Sequence, residues 1–499
     1  MTTESDYVIV GGGTAGAVLA RRLAEDPEVS VVLLEAGPSD EGIEVIADLA
    51  RWAELLGDER YGHDYVIEPQ ARGNGRILHS RGVMLGGCSS HNSAISFQPP
   101  PYDFDRWSEL GAAGWSARDV APYFARVRER VDLEPSEHDN AAVLAFVAAA
   151  AAHGFRERDF ALDVDEGVGL FQLAKRGDRR VSSSTAYLHP LAALPPNLEV
   201  RTGARVLDLV LDGTHVRGVR TDAGPMHAER EVVLCAGAIG SPVVLLRSGI
   251  GPAAHLRHAG VRPVHDLDGV GEHLQDHPEG VLVFEAARPV PDVSAQRYEA
   301  GLFARIDADA PWPDMMFHFG TEAFDMHTVR AGYPTASNAF SITPNVTRAR
   351  SEGTVRLRAS DPAGDPAIDF AYFSDPEGYD ERIMVAGVEL AREIVACDPL
   401  AAWTARELAP GPSVQGFAAI SEYARSTANT VYHPVGTCRM GRTDDPDAVV
   451  GPDLLVRGLE GLRIADASIF PRIVSTNPAI TCMMIGERAA DLIRGRTSA

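Results

Sequence analysis

Two short stretches in the C-terminal part of the chain carry residue types suited to moving a proton. VYHPVGTCRMG contains His433, and STNPAIT contains Asn477. Oxidising an alcohol means removing a hydride from carbon and a proton from oxygen, and a histidine whose pKa lies near the working pH suits the second task. A second polar group can hold the developing alkoxide. His433 and Asn477 are therefore candidates for such a pair.

Both residues also have a structural interpretation. From spacing alone, His433 is as compatible with a core histidine in a turn before Pro434 as with a proton acceptor. Asn477 stands before Pro478, a sequence typical of a helix N-cap followed by proline at the first helical position. A helix that begins there would also direct its positive end at an electron-rich ring, so capping and catalysis are compatible.

The elements that must position these residues begin with a glycine-rich motif, GGGTAG at 11–16. It follows a short apolar strand at 7–10 and precedes a helix at 17–24, and a second strand at 29–34 ends at Glu35. Glycines in this pattern permit a tight turn, close approach of the backbone to a pyrophosphate, and close packing of helix on strand. Glu35 is placed to bind ribose hydroxyls and disfavours a 2′-phosphate, and hence NADP. The motif predicts a dinucleotide site and does not separate NAD from FAD.

A second unit of the same type lies at 231–251, EVVLCAGAIGSPVVLLRSGIG. It predicts a strand at 232–235, a turn of small residues, and a helix that begins near Ser241 with Pro242 in its first turn. This turn is placed to lie against the outer edge of the same cofactor.

Composition and charge exclude several classes of partner. The chain has 499 residues, 45% of them hydrophobic, which is enough for a large core and more than one domain. Its 46 Lys and Arg stand against 70 Asp and Glu, a formal net charge of -24, so neither nucleic acid nor anionic membrane is an expected partner. The apolar run at 141–152 is too short to cross a bilayer and predicts a buried helix.

Other familiar signals are missing. The sequence contains no GxSxG elbow, P-loop or HExxH motif. Its five cysteines are scattered, with no CxxC pair or zinc spacing, which indicates a reducing cytoplasm and no metal site. The N-terminus, MTTESDYVIV, does not read as a signal peptide.

The pattern of strands divides the chain into two domains and predicts an α/β fold class, α+β for the chain as a whole. A Rossmann-like dinucleotide-binding domain is predicted over 1–150, 185–278 and 431–499. A substrate domain, with a mostly antiparallel sheet flanked by helices, is predicted over 151–184 and 279–430. The strand-like runs behind the second prediction are GVLVFEA, GLFARID, DMMFHFG, NAFSITPNV and GTVRLRA, and a helix is predicted at 380–396.

From about 6 to 493 the chain resembles the glucose–methanol–choline oxidoreductase family. The resemblance rests on GGGTAGAVLARRLAE, RGVMLGGCSSHNSA, GAIGSPVVLLRSGIGP, and HPVGTCRMG followed by ADASIFPRIVSTNPAIT. It implies FAD rather than NAD, alcohol oxidation by hydride transfer to the flavin, and a homodimer. His433 falls on the family's catalytic histidine and Asn477 on its partner position, which is histidine or asparagine in different members.

Within the family the loop LGGCSSHNSA, 85–94, resembles that of the choline-oxidising branch. The resemblance implies that His91 is covalently bonded to the flavin; the alternative is a histidine only hydrogen-bonded near the ring. It also places Ser93 near the substrate hydroxyl. Further cofactor-binding residues implied by the resemblance and the glycine motif are Gly11, Gly13, Thr14, Ala15, Gly16, Glu35, Ala36, Gly86, Gly87, Ser90, Asn92, Val206, Asp466, Ala467, Asn477 and Pro478.

The same resemblance implies a pocket for a quaternary ammonium group. Such a head cannot donate N–H bonds, so it needs aromatic faces and a carboxylate. The matching positions are Trp52, Glu279, Tyr298, His318 and Tyr432.

One segment departs from the pattern. Where the choline-oxidising branch has two adjacent tryptophans before a glutamate, this chain reads Gln296-Arg297-Tyr298-Glu299. Tyr298 still offers a ring, but an inward Arg297 would repel a cation. The function expected is oxidation of choline to betaine aldehyde and glycine betaine, with dioxygen reduced to hydrogen peroxide. The alternatives are a choline-type dehydrogenase, a general primary-alcohol oxidase and a lyase on the same fold.

Overall fold

Two large sheets organise the chain in the computed structural model, which describes residues 3–136, 139–161 and 164–495. The first sheet has seven strands among these residues: Glu4–Val10, Val31–Leu34, Leu198–Arg201, Val206–Asp212, His215–Thr221, Gly224–Leu234 and Leu462–Ile464. The second has eight: Gly167–Leu170, Pro278–Glu279, Leu282–Ala286, Ala300–Ala304, Met315–Gly320, Ala339–Val346, Thr404–Ala409 and Asn429–Thr430.

Short strands and helices complete the described part of the chain. The short strands are Gly62–Val66 with Leu78–Gly82, Leu133–Pro135 with Gln172–Arg176 and Arg179–Arg180, Ile250–Gly251 with His265–Asp266, and Thr354–Arg356 with Ala367–Asp369. The helices are Gly16–Leu23, Glu44–Ala47, Pro101–Glu109, Ala117–Arg128, Ala141–His153, Ser183–Tyr187, Gly237–Arg247, Ala253–His258, Met326–Arg330, Tyr379–Val395, Gly416–Thr427 and Ala479–Ile493.

The first sheet brings the glycine motif and Glu35 to one edge. Its central strands are parallel, and Val10 pairs with Leu34 on one side and with Leu234 on the other. The three strands therefore end at the same level. Ligands of open parallel sheets bind beyond the carboxyl ends of the strands, and Gly11 and Glu35 follow directly there.

The second sheet is antiparallel and brings distant polar residues together. Glu279 pairs with Asn345 on one side and with Asn429 on the other. His318 lies in a neighbouring strand opposite Thr343. All residues of Met315–Gly320 and Ala339–Val346 are buried, so these polar side chains stand in an otherwise apolar layer.

The structure confirms the predicted α/β class and its mostly antiparallel second sheet. The predicted helices near the glycine motif, at 141–152 and at 380–396 are found at Gly16–Leu23, Ala141–His153 and Tyr379–Val395. The domain boundaries stay a prediction.

Three local expectations were wrong. The helix expected near Ser241 begins at Gly237, because Asp466 Oδ2 accepts the Gly237 N–H at 2.9 Å and so satisfies a donor at the helix start. Asn477 makes no capping hydrogen bond, and Pro478 takes the N-cap position of the last helix. The run GTVRLRA forms the strand Thr354–Arg356, which pairs outside the large antiparallel sheet.

No helix in the described part of the chain has the length and apolarity to cross a membrane. Among the same residues, no group of three or more His, Cys, Asp or Glu side chains is arranged to hold a metal ion.

Two glycines of the motif serve different purposes: Gly16 permits close packing of the helix, and Gly13 leaves space for a cofactor. A Cβ on Gly16 would lie 2.0 Å from the Gly11 carbonyl oxygen, whereas one on Gly13 would meet only Gly87 Cα, at 3.8 Å. We therefore expect Gly16→Ala to lower the free energy of unfolding by about 1–3 kcal/mol, the usual cost of overpacking.

Gly13→Ala should leave the stability of the cofactor-free protein unchanged and reduce only the cofactor bound per chain, since its methyl group would occupy the space open to the ligand. Urea unfolding and absorbance of the bound cofactor measure the two effects. An equal loss of stability in both variants would contradict this division.

Candidate active site

Two cavities meet beside the glycine motif. The first, which we call the histidine cavity, has a volume of about 170 Å³ and is lined by His91, His318 and His433 among others. The second, the glycine cavity, has a volume of about 430 Å³ and is lined by Gly11, Gly13 and Glu35 among others. Both cavities are lined by the same six residues where they adjoin: Thr14, Arg81, Cys88, Pro434, Ala467 and Cys482.

The shape and chemistry of the glycine cavity fit a dinucleotide. Gly13 opens onto free space, as a close backbone approach to a phosphate requires. Glu35 Oε2 accepts from Gly12 N and its Oε1 from Gly37 N, both at 2.8 Å, so the carboxyl group also braces the glycine turn. Burial raises the pKa of Glu35 to about 7.

Most of the predicted cofactor residues line one of the two cavities. Those in the glycine cavity are Gly11, Gly13, Thr14, Ala15, Glu35, Ala36, Gly87, Val206, Asp466 and Ala467. Those in the histidine cavity are Thr14, His91, Asn92, Ala467, Asn477 and Pro478. Gly16, Gly86 and Ser90 line neither.

The predicted cofactor residues outside both cavities shape the neighbouring turns. Gly86 has a φ of +77°, which favours glycine. Ser90 Oγ donates to the buried carboxylate of Asp40 at 2.7 Å. Gly16 permits the close approach of the first helix to Gly11 described above.

The first turn of the helix Gly237–Arg247, together with Ala236 before it, also lines the glycine cavity. Residues Ala236, Gly237, Ala238, Ile239 and Gly240 all line the cavity. Small side chains at this turn leave room for a ligand.

His91 is buried and neutral. Its Nε2 lies 3.1 Å from the carbonyl oxygen of Leu55. Burial, together with the nearby Arg81 guanidinium, lowers the pKa of His91 to about 4. A neutral imidazole that donates through one nitrogen keeps a lone pair on the other, so the ring is a nucleophile at neutral pH.

His433 is held by a second histidine, His277, which is fully buried. His277 Nε2 lies 3.1 Å from Thr347 O and 3.0 Å from Val474 O. Both partners are acceptors, so this nitrogen carries the hydrogen. Burial lowers the pKa of His277 to about 4, so the ring is neutral and its Nδ1 is an acceptor.

The state of His433 follows from that of His277. The two Nδ1 atoms are 2.9 Å apart, so His433 Nδ1 must carry the hydrogen and donate it. His433 Nε2 is left with its lone pair on the opposite edge of the ring. Burial holds the pKa of His433 well below its usual value, and the neighbouring histidines and Arg81 lower it further. The geometry therefore makes Nε2 a proton acceptor.

Asn477 supplies an unused polar atom in the same cavity. Its side chain is buried, and among the described residues its Oδ1 has no hydrogen-bond partner. Buried amide oxygens are nearly always paired in folded proteins, so this atom is available to a bound group. Ser93 lines the cavity as well.

The five residues predicted to surround a quaternary ammonium group all line the histidine cavity. We call this set the cage: Trp52, Glu279, Tyr298, His318 and Tyr432. The Trp52 and Tyr298 ring centroids lie 6.2 Å apart, edge to face, and Trp52 Nε1 donates to Gln296 O at 2.9 Å. Tyr298 is also edge to face with His318, whose Nδ1 lies 3.4 Å from Glu279 Oε1. A buried carboxylate thus stands beside several aromatic rings.

Arg297 points away from the cavity. Its Nη1 lies 2.6 Å from Asp292 Oδ1, and its side chain is 38% exposed. The backbone at Arg297 has a φ of +77°, and the next residue, Tyr298, faces inward. The repulsion that an inward guanidinium would cause is absent.

Sequence reasoning missed several residues of the site. Arg81, Cys88 and Cys482 line both cavities, Phe324 lines the histidine cavity, and His277 holds His433. A signal for His277 existed: it is the histidine of LQDHPEGV, two residues before Glu279. The others carry no local pattern that separates them from core residues.

Comparison with known proteins gives a consistent picture. Residues 5–279 and 349–486 match the N- and C-terminal models of the GMC oxidoreductase family. Choline oxidase of Arthrobacter globiformis is 47% identical, and the match covers 98% of this chain and 94% of that protein. Oxygen-dependent choline dehydrogenase of Brucella ovis is 36% identical, over 99% and 96% of the two chains. The crystal structure of pyridoxine 4-oxidase from Mesorbium loti superposes with a TM-score of 0.89 at 32% identity, covering 99% of this chain and 100% of that one.

Proposed function

The chain belongs to the GMC oxidoreductase family of FAD-dependent enzymes, and we propose that it oxidises choline with dioxygen as the electron acceptor. The observation that carries the choice of substrate is the buried Glu279 carboxylate among aromatic rings, in the cavity that also contains His433. In the first oxidation, choline and dioxygen give betaine aldehyde and hydrogen peroxide. A second turnover on the hydrated aldehyde gives glycine betaine.

The FAD would lie across both cavities, with its phosphates at the glycine motif and its ring where the cavities adjoin. The residues present fit this group, since Gly13 leaves the approach open and the cavities adjoin at shared residues. When bound, the flavin accepts the hydride and passes two electrons to dioxygen.

The protein's own residues manage the proton. His433 Nε2 takes the hydroxyl proton of the alcohol, because its tautomer leaves that nitrogen free. The imidazolium that forms stabilises the alkoxide. Because an alkoxide only accepts hydrogen bonds, Asn477 acts on the same oxygen through its side-chain N–H and Ser93 through its O–H. The hydrogen bond to His277 keeps the ring in one orientation throughout.

The cage holds the other end of the substrate. A trimethylammonium group offers no N–H bond, so Glu279 acts through charge and Trp52, Tyr298 and Tyr432 through their ring faces. In a partly dry cavity the attraction between Glu279 and the cation is stronger than in water.

The first test of this function is the visible spectrum of the enzyme mixed anaerobically with choline, before and after air is admitted. Loss of the flavin colour followed by its return with formation of hydrogen peroxide is the expected result. Flavin that stays oxidised would support a lyase on the same fold. Reduction without rapid reoxidation would support a choline-type dehydrogenase that passes its electrons to an acceptor other than dioxygen.

Three further properties belong to the same proposal: a covalent bond between His91 and the flavin, a homodimer, and a cytoplasmic location. The neutral His91 ring supports the first. Scattered cysteines without a disulfide among the described residues support the last.

His433 and His277 are expected to act as a unit. Loss of a well-placed base costs about 100- to 1000-fold in rate. We expect His433→Ala to slow anaerobic flavin reduction by about that factor with FAD still bound. His277→Ala should give a smaller but clear loss, on the order of 10-fold, because His433 can then adopt the other tautomer. Stopped-flow absorbance at saturating choline measures both. A normal rate in His433→Ala would remove it from the mechanism.

Covalent attachment at His91 predicts where the yellow colour goes. After acid precipitation the wild-type pellet should stay yellow, and His91→Asn should release the flavin to the supernatant. His63→Asn is the matched control, because His63 lies at the rim of the glycine cavity in an exposed pair with Asp365. Yellow colour in the supernatant of the wild-type protein would contradict a covalent bond between His91 and the flavin.

Substitution of Glu279 tests whether the cavity recognises the charge of the substrate or only its shape. Glu279→Gln should weaken choline by about 10- to 100-fold and its neutral analogue 3,3-dimethylbutanol much less, because only the cation loses a counter-charge. Arg297→Ala should leave the preference between the two unchanged, since Arg297 faces Asp292. Steady-state kinetics with both alcohols measures the comparison. Equal weakening of both would mean a general alcohol oxidase with a structural carboxylate.

A further inference from the structure

A buried carboxylate lies directly behind the turn that carries Tyr432 and His433. Asp276 is 3% exposed and lines neither cavity. Its Oδ1 accepts from His433 N at 2.8 Å. Its Oδ2 accepts from Tyr372 Oη at 2.5 Å and from the Thr430 hydroxyl. One side chain therefore gathers three donors, two of them from the turn.

The turn that Asp276 holds contains a residue in an unfavourable conformation. Tyr432 has a φ of +64°, a region that side chains with a Cβ rarely adopt unless their surroundings impose it. Thr430 Oγ1 accepts from Tyr432 N at 2.7 Å, and Arg81 Nη1 donates to Tyr432 O at 2.7 Å. Because Thr430 gives its one hydroxyl hydrogen to Asp276, its lone pair faces Tyr432 N. The carboxylate thus fixes Tyr432 through Thr430.

The segment that contains Asp276 is paired with the turn. Gln275 and Val435 exchange hydrogen bonds of 3.0 and 2.9 Å, and Val431 N donates to His277 O at 3.2 Å. Two consecutive residues therefore contact the same histidine from two sides. Asp276 holds the backbone of His433, and His277 holds its ring.

Besides its three hydrogen-bond donors, Asp276 faces a neutral histidine, His79. His79 is fully buried, its Nε2 lies 4.0 Å from Asp276 Oδ2, and neither ring nitrogen has a hydrogen-bond partner among the described residues. Burial holds the pKa of His79 well below its usual value. His79 therefore brings no positive charge to compete with the donors of the turn.

We propose that Asp276 is a positioning residue for alcohol oxidation, whose carboxylate fixes the 430–433 turn so that the His433 base stays aligned with the bound alcohol. The proposal rests on the proposed function for the role of His433. A purely structural carboxylate would stabilise the fold without changing the chemical step.

Two substitutions separate the hydrogen bonds from the charge. In Asp276→Asn the amide oxygen still accepts from His433 N, and the amide nitrogen donates to the hydroxyls of Thr430 and Tyr372, which can accept. In Asp276→Leu, a side chain of similar shape, all three bonds are lost. Asp314→Leu is the control: Asp314 is fully buried and accepts from Tyr379 Oη at 2.8 Å, away from both cavities.

The rate of anaerobic flavin reduction at saturating choline is the first readout. We expect Asp276→Leu to lower it about 100-fold, the effect of misplacing a catalytic group by about 1 Å. Asp276→Asn should stay within about fivefold of wild type, since its hydrogen bonds survive. The choline concentration for half-maximal rate should rise only about threefold in Asp276→Leu. Of the cage, only Tyr432 lies in the turn; Trp52 and Tyr298 are on other segments, and Glu279 is held by its own pairing with Asn345 and Asn429. Asp314→Leu should lower the melting temperature and leave the rate unchanged.

Hydrogen–deuterium exchange of the 428–436 peptide in the holoenzyme is the second readout and needs no substrate. Faster exchange in Asp276→Leu, but not in Asp276→Asn, is expected. An unchanged reduction rate, an equal rate loss in Asp314→Leu, or unchanged exchange would each overturn the proposal. If choline fails to reduce the wild-type flavin, the proposed substrate is wrong, and the exchange experiment still decides whether Asp276 holds the turn.

Should Asp276→Leu fail to fold, Thr430→Val takes its place. It removes the hydroxyl that links Asp276 to Tyr432 and keeps the shape of the side chain. Faster exchange and a rate loss of about 10-fold are expected, and no change in either would overturn the proposal.

Discussion

The contact between two buried, neutral imidazoles fixes the chemistry available to this protein. His277 gives its one N–H to two backbone carbonyl oxygens, Thr347 O and Val474 O, and so accepts from His433. Burial disfavours the protonated form of both rings. The hydrogen bonds from His433 to His277 and from His277 to the carbonyl groups therefore have only one consistent set of directions. These directions leave a free lone pair on His433 Nε2. Two carbonyl groups far apart in the sequence, Thr347 O and Val474 O, thus decide which ring nitrogen of His433 carries the hydrogen.

That arrangement requires a rigid backbone at the turn, and the antiparallel sheet and the backbone pairing of Gln275 with Val435 both contribute to it. The strand Asn429–Thr430 belongs to the antiparallel sheet and enters the turn from the cage side. The turn leaves toward Pro434, which lines the junction with the glycine cavity. The same few residues therefore connect the cage, the His433 ring and the glycine cavity. A displacement at this turn would separate all three.

The sequence predicted the parts of the site that are local and missed those that depend on packing. The glycine motif and Glu35 lie within one strand–helix–strand unit, and the backbone geometry of that unit alone predicts a dinucleotide site. Trp52 meets Gln296 across 244 residues, so no local pattern predicts that contact; the cage residues came from family resemblance. The capping prediction for Asn477 was wrong for a related reason. Capping propensity is local, whereas the buried cavity beside Asn477 decides how its amide is used.

Arg297 and Tyr298, which stand where the resemblance implies two tryptophans, illustrate how the proposed cation site is compatible with a nearby positive charge. Arg297 lies in a bend with a φ of +77°, and the next residue, Tyr298, takes the inner side, where its ring packs between Trp52 and His318. Arg297 lies on the outer side, where Asp292 pairs with it in solvent and screening weakens its field. The Tyr298 ring lines the cavity, whereas the charge of Arg297 has little effect there because Arg297 faces Asp292 and solvent. A cationic substrate is thus compatible with this sequence because the backbone separates two adjacent side chains, one into the cavity and one into water.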